Sequence, residues 1–177
     1  MENEVEIDEA YVGGKNKNRH ANKKVDYSQG RGGDDKTPVV GMVERGGKVK
    51  AKAIKDTTMV TLTREVINSV KKGATIYSDE FTSYNALKRV YDHSVVKHNA
   101  KQYVNGRVHT NTIEGFWSIL KRGIFGIYHF TSKKHLQMYE DEFVFRYNTR
   151  HGSESDRFNL LLGNTERRLT YNQLING

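Results

Sequence analysis

Residues 4–14, EVEIDEAYVGG, decide how this chain is read. Val5 and Ile7 alternate with Glu4, Glu6 and Asp8, the period-two pattern of a strand, which runs on through Tyr11 and Val12 to Gly13-Gly14. Four acids fall between Glu4 and Glu9, a local negative field in a chain of formal charge +8. One reading makes Asp8 a cation ligand held rigidly on a strand. The plainer alternative is the solvated acidic face of a strand.

Working outward, residues 15–36 are polar and glycine-rich, with Lys15, Lys17, Arg19, Lys23 and Lys24 preceding any acid. A loop of that length inside a domain is uncommon and usually functional or disordered. The basic residues make it a candidate surface for a polyanion, against the alternative of an idle excursion. Val39 to Val43 and Val49 to Ile54 are β-prone runs separated by Arg45-Gly46-Gly47, so the first three strands are expected to form an antiparallel meander. Val60, Leu62, Val66, Ile67 and Val70 recur at helical steps before Gly73, an amphipathic helix with a stop signal.

Ala74 to Ser78 then reads as a buried strand delivering Asp79, followed by a helix through Tyr84, Leu87 and Val90 and a short strand at Val95-Val96. The expected order is βββ-α-β-α-β. Beyond it, Ile113, Phe116, Trp117, Leu120 and Ile124 form an apolar stripe on a helix, and Leu136, Tyr139, Phe143 and Tyr147 mark another ending near His151-Gly152. Residues 1–152 are read as one domain with the basic loop inserted between its first two strands, and 153–177 as a tail packing on it.

Composition bounds the rest. A chain of 177 residues, 36% apolar and 28% charged, suits one folded domain. Its 29 Lys+Arg against 21 Asp+Glu favour an anionic partner, nucleic acid being the commonest, although solvated lysines serve solubility equally well. The absence of cysteine excludes disulfides, thiolate zinc sites and a catalytic thiol. No apolar run approaches the ~20 residues of a membrane helix, and the acidic start is unlike a secretory signal, so a cytoplasmic protein is expected.

Three carboxylates from separate segments carry the candidate chemistry: Asp8, Asp79 in ATIYSDEFTSY, and Glu114 in HTNTIEGFWSILKRG. At roughly 100° per residue, Glu114 and Lys121 fall about 20° apart on the edge of the apolar stripe. A carboxylate and an ammonium so placed can line a cleft, one for a cation and one for a phosphate. Each has a structural alternative. Asn111 with Glu114 resembles a capping box, and Asp79 between a strand and a helix resembles a turn residue. Brought together, three carboxylates raise one another's pKa unless a cation is supplied, and oxygen-only ligands suit Mg²⁺, with Mn²⁺ as a substitute. Two such ions roughly 3.5–4 Å apart activate a hydroxyl and stabilise the leaving oxygen in phosphodiester chemistry.

The segments EIDEAYVGGK, YSDEFTSY and HTNTIEGFWSILKRG resemble the catalytic core of bacterial insertion-sequence transposases of the DDE superfamily, ISXO-like branch, over roughly Val5 to Arg150. The resemblance implies an RNase H-like fold, a mixed five-stranded sheet flanked by helices, and a site for two Mg²⁺ ions. Asp8, Asp79 and Glu114 would be the metal ligands and, with Lys121, the catalytic set. Lys15, Lys17, Arg19, Lys23, Lys24, Lys121 and Arg122 would contact DNA, with Asn111 a cap or supporting residue of the third motif. The implied activity is cleavage at transposon ends and transfer of the 3′-hydroxyl into target DNA, by a homodimer on DNA in the bacterial cytoplasm, at the nucleoid. Longer members carry an amino-terminal zinc segment and a helix-turn-helix, so an isolated catalytic domain is expected here. Two further readings stay open: an RNase H-like nuclease or resolvase, and a non-catalytic DNA-binding remnant.

Overall fold

Period-two alternation in the first strand is realised along its length, but both of its faces are covered. The computed structural model describes residues 1–13, 20–24, 36–96, 108–165 and 170–176. Strand β1 (Glu4–Gly13) pairs antiparallel with β2 (Lys36–Glu44), which pairs antiparallel with β3 (Val49–Ala53). Gly46 turns the β2–β3 hairpin at φ +69°, a left-handed position that glycine takes without steric cost. On its other side β1 pairs parallel with β4 (Thr75–Ser78), and β4 pairs parallel with β5 (Asp92–Val95). The resulting sheet is mixed and five-stranded, as expected, and its strand order is β3-β2-β1-β4-β5.

Helix α1 (Met59–Ser69) makes the crossover between β3 and β4, and a 3₁₀ helix at Thr82–Arg89, where an ordinary helix was expected, links β4 to β5. Both cover one face of the sheet: Val5, Ile7, Val40, Met42 and Ile76 pack there with Leu62, Val66, Tyr84 and Leu87. The apolar stripe expected on α1 divides. Leu62, Val66 and Val70 are buried, while Val60 and Ile67, seven residues apart, share another face and are 75% and 46% exposed. The opposite face of the sheet, built from Ala10, Val12, Val39, Val43, Val49 and Ala51, packs against Ile113, Phe116, Trp117 and Leu120 of α2 (Asn111–Gly123) and against Leu136 and Phe143 of α3 (Leu136–Asn148). α2 continues into a five-residue π-helical segment, Ile124–Tyr128. Its last residue, Gly123, permits contact with α3, since a Cβ there would lie 1.9 Å from Phe143 Cζ.

α3 also satisfies the outer edge of β3. The Asn148 carboxamide accepts from Val49 N at 2.7 Å and donates to Val49 O at 3.0 Å. Gln137 accepts from Ala53 N at 2.9 Å and donates to Ala51 O at 3.3 Å. After α3, Ser153 and Asp156 form a capping box that starts α4 (Glu154–Gly163), and α5 (Tyr171–Asn176) follows. Phe158, Leu160, Leu161 and Leu162 of α4 are all at least half exposed, and Arg157 reaches back to Thr149 O at 3.4 Å.

Between α3 and the sheet lies Glu140, fully buried, with neither carboxylate oxygen in a hydrogen bond. Burial, and then the charge of Asp141, push it from the ordinary 4.5 up to about 8. A raised carboxyl pKa means the folded state keeps a proton that the unfolded chain has released. This cost to stability therefore grows as pH rises from about 4.5 and is complete near 8. Glu140→Gln has no proton to lose. Urea unfolding should show it equal to the parent near pH 4.5 and more stable by on the order of 1–3 kcal/mol above pH 8; a difference that does not vary with pH would contradict this.

Candidate metal centre

The alternating acids of β1 are dispersed to different tasks by the pleat. Glu6 and Asp8 project to the face covered by α2, Glu9 to the face covered by the 3₁₀ helix. Glu6 is fully buried and receives the N-terminus of α2: it accepts from Thr112 N at 2.8 Å, Ile113 N at 3.1 Å and Thr112 Oγ1 at 2.9 Å. Arg45 Nε donates to it at 2.7 Å, and the same guanidinium donates to His109 O at 2.8 Å. His109 Nδ1 lies 3.2 Å from Glu6. A carboxylate at a helix N-terminus satisfies amides that have no partner within the helix and meets the positive end of its dipole. The acidic strand face is therefore the seat of α2 rather than a solvated surface.

Asp8 lies two residues further along β1, opposite Gly41 of β2. Trp117 Nε1 donates to Asp8 Oδ2 at 3.0 Å. The indole reaches this position because it lies over Gly41, where a Cβ would be 2.4 Å from Trp117 Cζ2 and 2.9 Å from Ile113 Cδ1. Asp79 arrives from the end of β4, and its Oδ1 accepts from Phe81 N at 3.0 Å, so it forms the expected turn and still borders Asp8. Ligand oxygens of Asp8, Glu9 and Asp79 all fall within 4.8 Å of one another. Desolvation, then the charges of Glu9 and Asp79, push Asp8 from 3.8 up to about 7, although the Trp117 bond pulls the other way.

Glu114, in the first turn of α2, is exposed, accepts from Thr110 Oγ1 at 3.0 Å, and lies outside the group of three, one helical turn before Trp117. Thr110, not Asn111, occupies the N-cap position, and Asn111 is the first helical residue, exposed. The helix starts one residue earlier than a capping box on Asn111 requires because Glu6 already takes the Thr112 and Ile113 amides. Lys121 and Arg122 are exposed in the last turn of α2, with Arg122 Nε donating to Ser118 O at 3.3 Å. Lys15, Lys17 and Arg19 lie outside the described residues. Lys23 closes a short 3₁₀ turn, Ala21–Lys23, and Lys24 follows it, exposed.

The three gathered carboxylates fit a divalent cation. Oxygens around one Mg²⁺ at ~2.1 Å lie ~3–4.2 Å apart, so groups already within 4.8 Å need little movement. Buried and half-buried carboxylates forced together, one with its pKa near 7, are stabilised by a positive charge between them. Sequence reasoning chose Asp8 and passed over Glu9 and Glu6. The signal for Glu9 was adjacency alone, and alternation argued that neighbours on a strand face apart.

The sheet order and its helical crossovers give an α/β fold of the kind found in an integrase catalytic core, RNase H-like in class. The catalytic core domain of BIV integrase superposes on 90% of this chain, over 93% of its own length, with a TM-score of 0.51 and 12% sequence identity. More particularly, residues 1–148 match the ISXO2-like transposase domain, and the chain belongs to that DDE transposase family. A protein described as uncharacterised in the transposable element ISH50 of Halobacterium salinarum is 30% identical over 131 residues. The match covers 69% of this chain and 45% of that protein.

Trp117 is the single tryptophan, so its emission reports on the Asp8 contact. In Gly41→Ala the new methyl displaces the indole. The expected result is a red-shifted emission and a loss of about 1–3 kcal/mol of stability in urea titrations, the usual cost of overpacking. Unchanged emission would mean that the strand, not the indole, gives way.

Proposed function

We propose that this domain is a DNA transposase catalytic core that cleaves phosphodiester bonds at transposon ends and joins the resulting 3′-hydroxyl to target DNA. The observation that carries this reading is the meeting of Asp8, midway along β1, with Asp79, the residue after the adjacent parallel strand β4, in a chain of the ISXO2-like transposase family. Asp8 and Asp79 hold divalent cations, two Mg²⁺ ions with Mn²⁺ as a substitute, and Glu114 completes the set on exchanging its Thr110 contact for the metal. When bound, such ions supply activation of the attacking hydroxyl and stabilisation of the leaving oxygen.

The chain's own residues do the remaining work. Glu6 and Arg45 fix the start of α2, so Glu114 and Trp117 stand at a constant height above β1. Trp117 orients Asp8, and the Asp79 turn holds that carboxylate at the strand end. Lys121, two turns beyond Glu114 and on the same edge of α2, meets backbone phosphate, with Arg122 beside it. Lys15, Lys17, Arg19, Lys23 and Lys24 hold the duplex non-specifically. The protein acts on DNA as a homodimer bridging two ends, in the cytoplasm at the nucleoid.

Supercoiled plasmid incubated with Mg²⁺ or Mn²⁺ tests the chemistry. Asp79→Asn and Glu114→Gln should each lower nicking by at least ~100-fold while circular dichroism stays that of the parent, in line with losing part of a metal-assisted site. Cleavage by Asp79→Asn at the parental rate would remove Asp79 from the site. Cleavage without joined products, when pre-cut ends are supplied, would make the protein a nuclease, the second reading its fold allows. Parental DNA binding without cleavage in either metal would make it a binding remnant.

Charge reversal at Lys15, Lys17 and Lys23 tests the loop. Each phosphate contact removed lowers the slope of log K against log salt by about 0.9, so the triple variant should bind DNA more weakly and with a slope flatter by about 2–3. An unchanged slope would leave the loop without a role in binding.

A further inference from the structure

β1 outruns its parallel neighbour. Its pairing with β4 covers Glu4 to Glu6 against Thr75 to Tyr77, and β4 ends at Ser78. Asp8 and Glu9 therefore border a notch where the chain after β4 turns away, and Asp79 stands at that turn. The same turn then supplies Phe81 and the 3₁₀ helix bearing Tyr84. Tyr84 is 1% exposed, is packed edge-on against Phe81 with ring centroids 5.9 Å apart, and donates from its hydroxyl to Glu9 Oε2 at 2.9 Å. Glu9 itself is only 8% exposed. The notch explains how two successive strand residues with side chains on opposite faces bring their carboxylates to one place: with no β4 backbone beside them, both can lean past the sheet edge toward Asp79.

We propose that Glu9, oriented by the Tyr84 hydroxyl, ligates the divalent cation held by Asp8 and Asp79, so that β1 supplies two ligands and the short segment after β4 supplies the third ligand together with the residue that positions Glu9. This rests on the reading of Asp8 and Asp79 as cation ligands. Three observations support it. Glu9 belongs to the one group of acids gathered within 4.8 Å among the described residues, whereas Glu114 does not. Its carboxylate is nearly buried and held by a rigid neutral donor, the arrangement that fixes a ligand's direction without competing for its charge. Its oxygens match the hardness of Mg²⁺ and Mn²⁺. Tyr84 is a positioning residue that acts through Glu9.

Mn²⁺ titration of the whole chain, without DNA, tests this by two readouts, the electron paramagnetic resonance signal of free Mn²⁺ and Trp117 emission. Asp79→Asn should lose binding, Glu9→Gln should weaken it by at least ~10-fold, and Tyr84→Phe by several-fold, as for residues that orient a metal ligand. Water-proton relaxation should count one more exchanging water on Mn²⁺ in Glu9→Ala than in the parent. Parental affinity in Glu9→Gln, with binding lost in Asp79→Asn, would overturn the role of Glu9 and leave the site standing. Indifference of the parent itself to Mn²⁺ would overturn the site and Glu9 with it. If Glu9→Gln fails to fold, Tyr84→Phe decides, since it keeps the carboxylate's charge and removes only its orientation: undiminished affinity there would overturn the proposal.

Discussion

The contact on which the rest of the structure depends is that between Glu6 and the first turn of α2. A carboxylate with no exposed surface has given up its hydration, and here it regains hydrogen bonds from two backbone amides, a threonine hydroxyl and a guanidinium. Removing any partner of a buried charge costs more than the bond's net contribution, because the desolvated group is left unsatisfied. The contact therefore fixes the register of α2 over the sheet. Register sets where Trp117 falls on Gly41, and Trp117 in turn sets where Asp8 points.

The candidate metal centre follows a different logic, in which unfavourable terms are kept close together. Burial, and then the charges of Glu9 and Asp79, raise the cost of ionising Asp8. Apolar side chains at these positions would relieve the repulsion and stabilise the apo fold. Three acids gathered where β4 ends beside the longer β1 suit a site whose full stability is reached only with a cation bound, since ligand binding to the native state adds to its stability by mass action.

Much of the architecture was legible in the sequence. Period-two alternation in β1 and two β-prone runs around Arg45-Gly46-Gly47 gave the meander, the stripes gave α1 to α3, and the position of Asp79 after a short apolar run was right because the residue after a buried strand has few alternatives. Less legible was what covers what. For the acids of β1 a solvated face stayed open beside the ligand reading, because alternation does not say how many faces a sheet buries, and α2, which covers them, arrives a hundred residues later. The burial expected on α1 failed at Val60 and Ile67 for a related reason: a moment along a helix gives the direction of the apolar face and not its width. Glu9 escaped notice because its place at the cluster depends on β4 being shorter than β1, a difference in strand length that composition does not encode.

The carboxamides of Gln137 and Asn148 bear on how such molecules can meet. An outer strand ordinarily offers a row of amides and carbonyls to any passing segment, and chains associate through it into extended sheets. Here Val49, Ala51 and Ala53 already spend groups on side chains of α3, so a newcomer must first dislodge a packed helix. The opposite border, β5, is only four residues long. The sheet is thereby closed to growth at one side and offers little purchase at the other, which leaves helices and loops as the surfaces through which two copies can come together without polymerising.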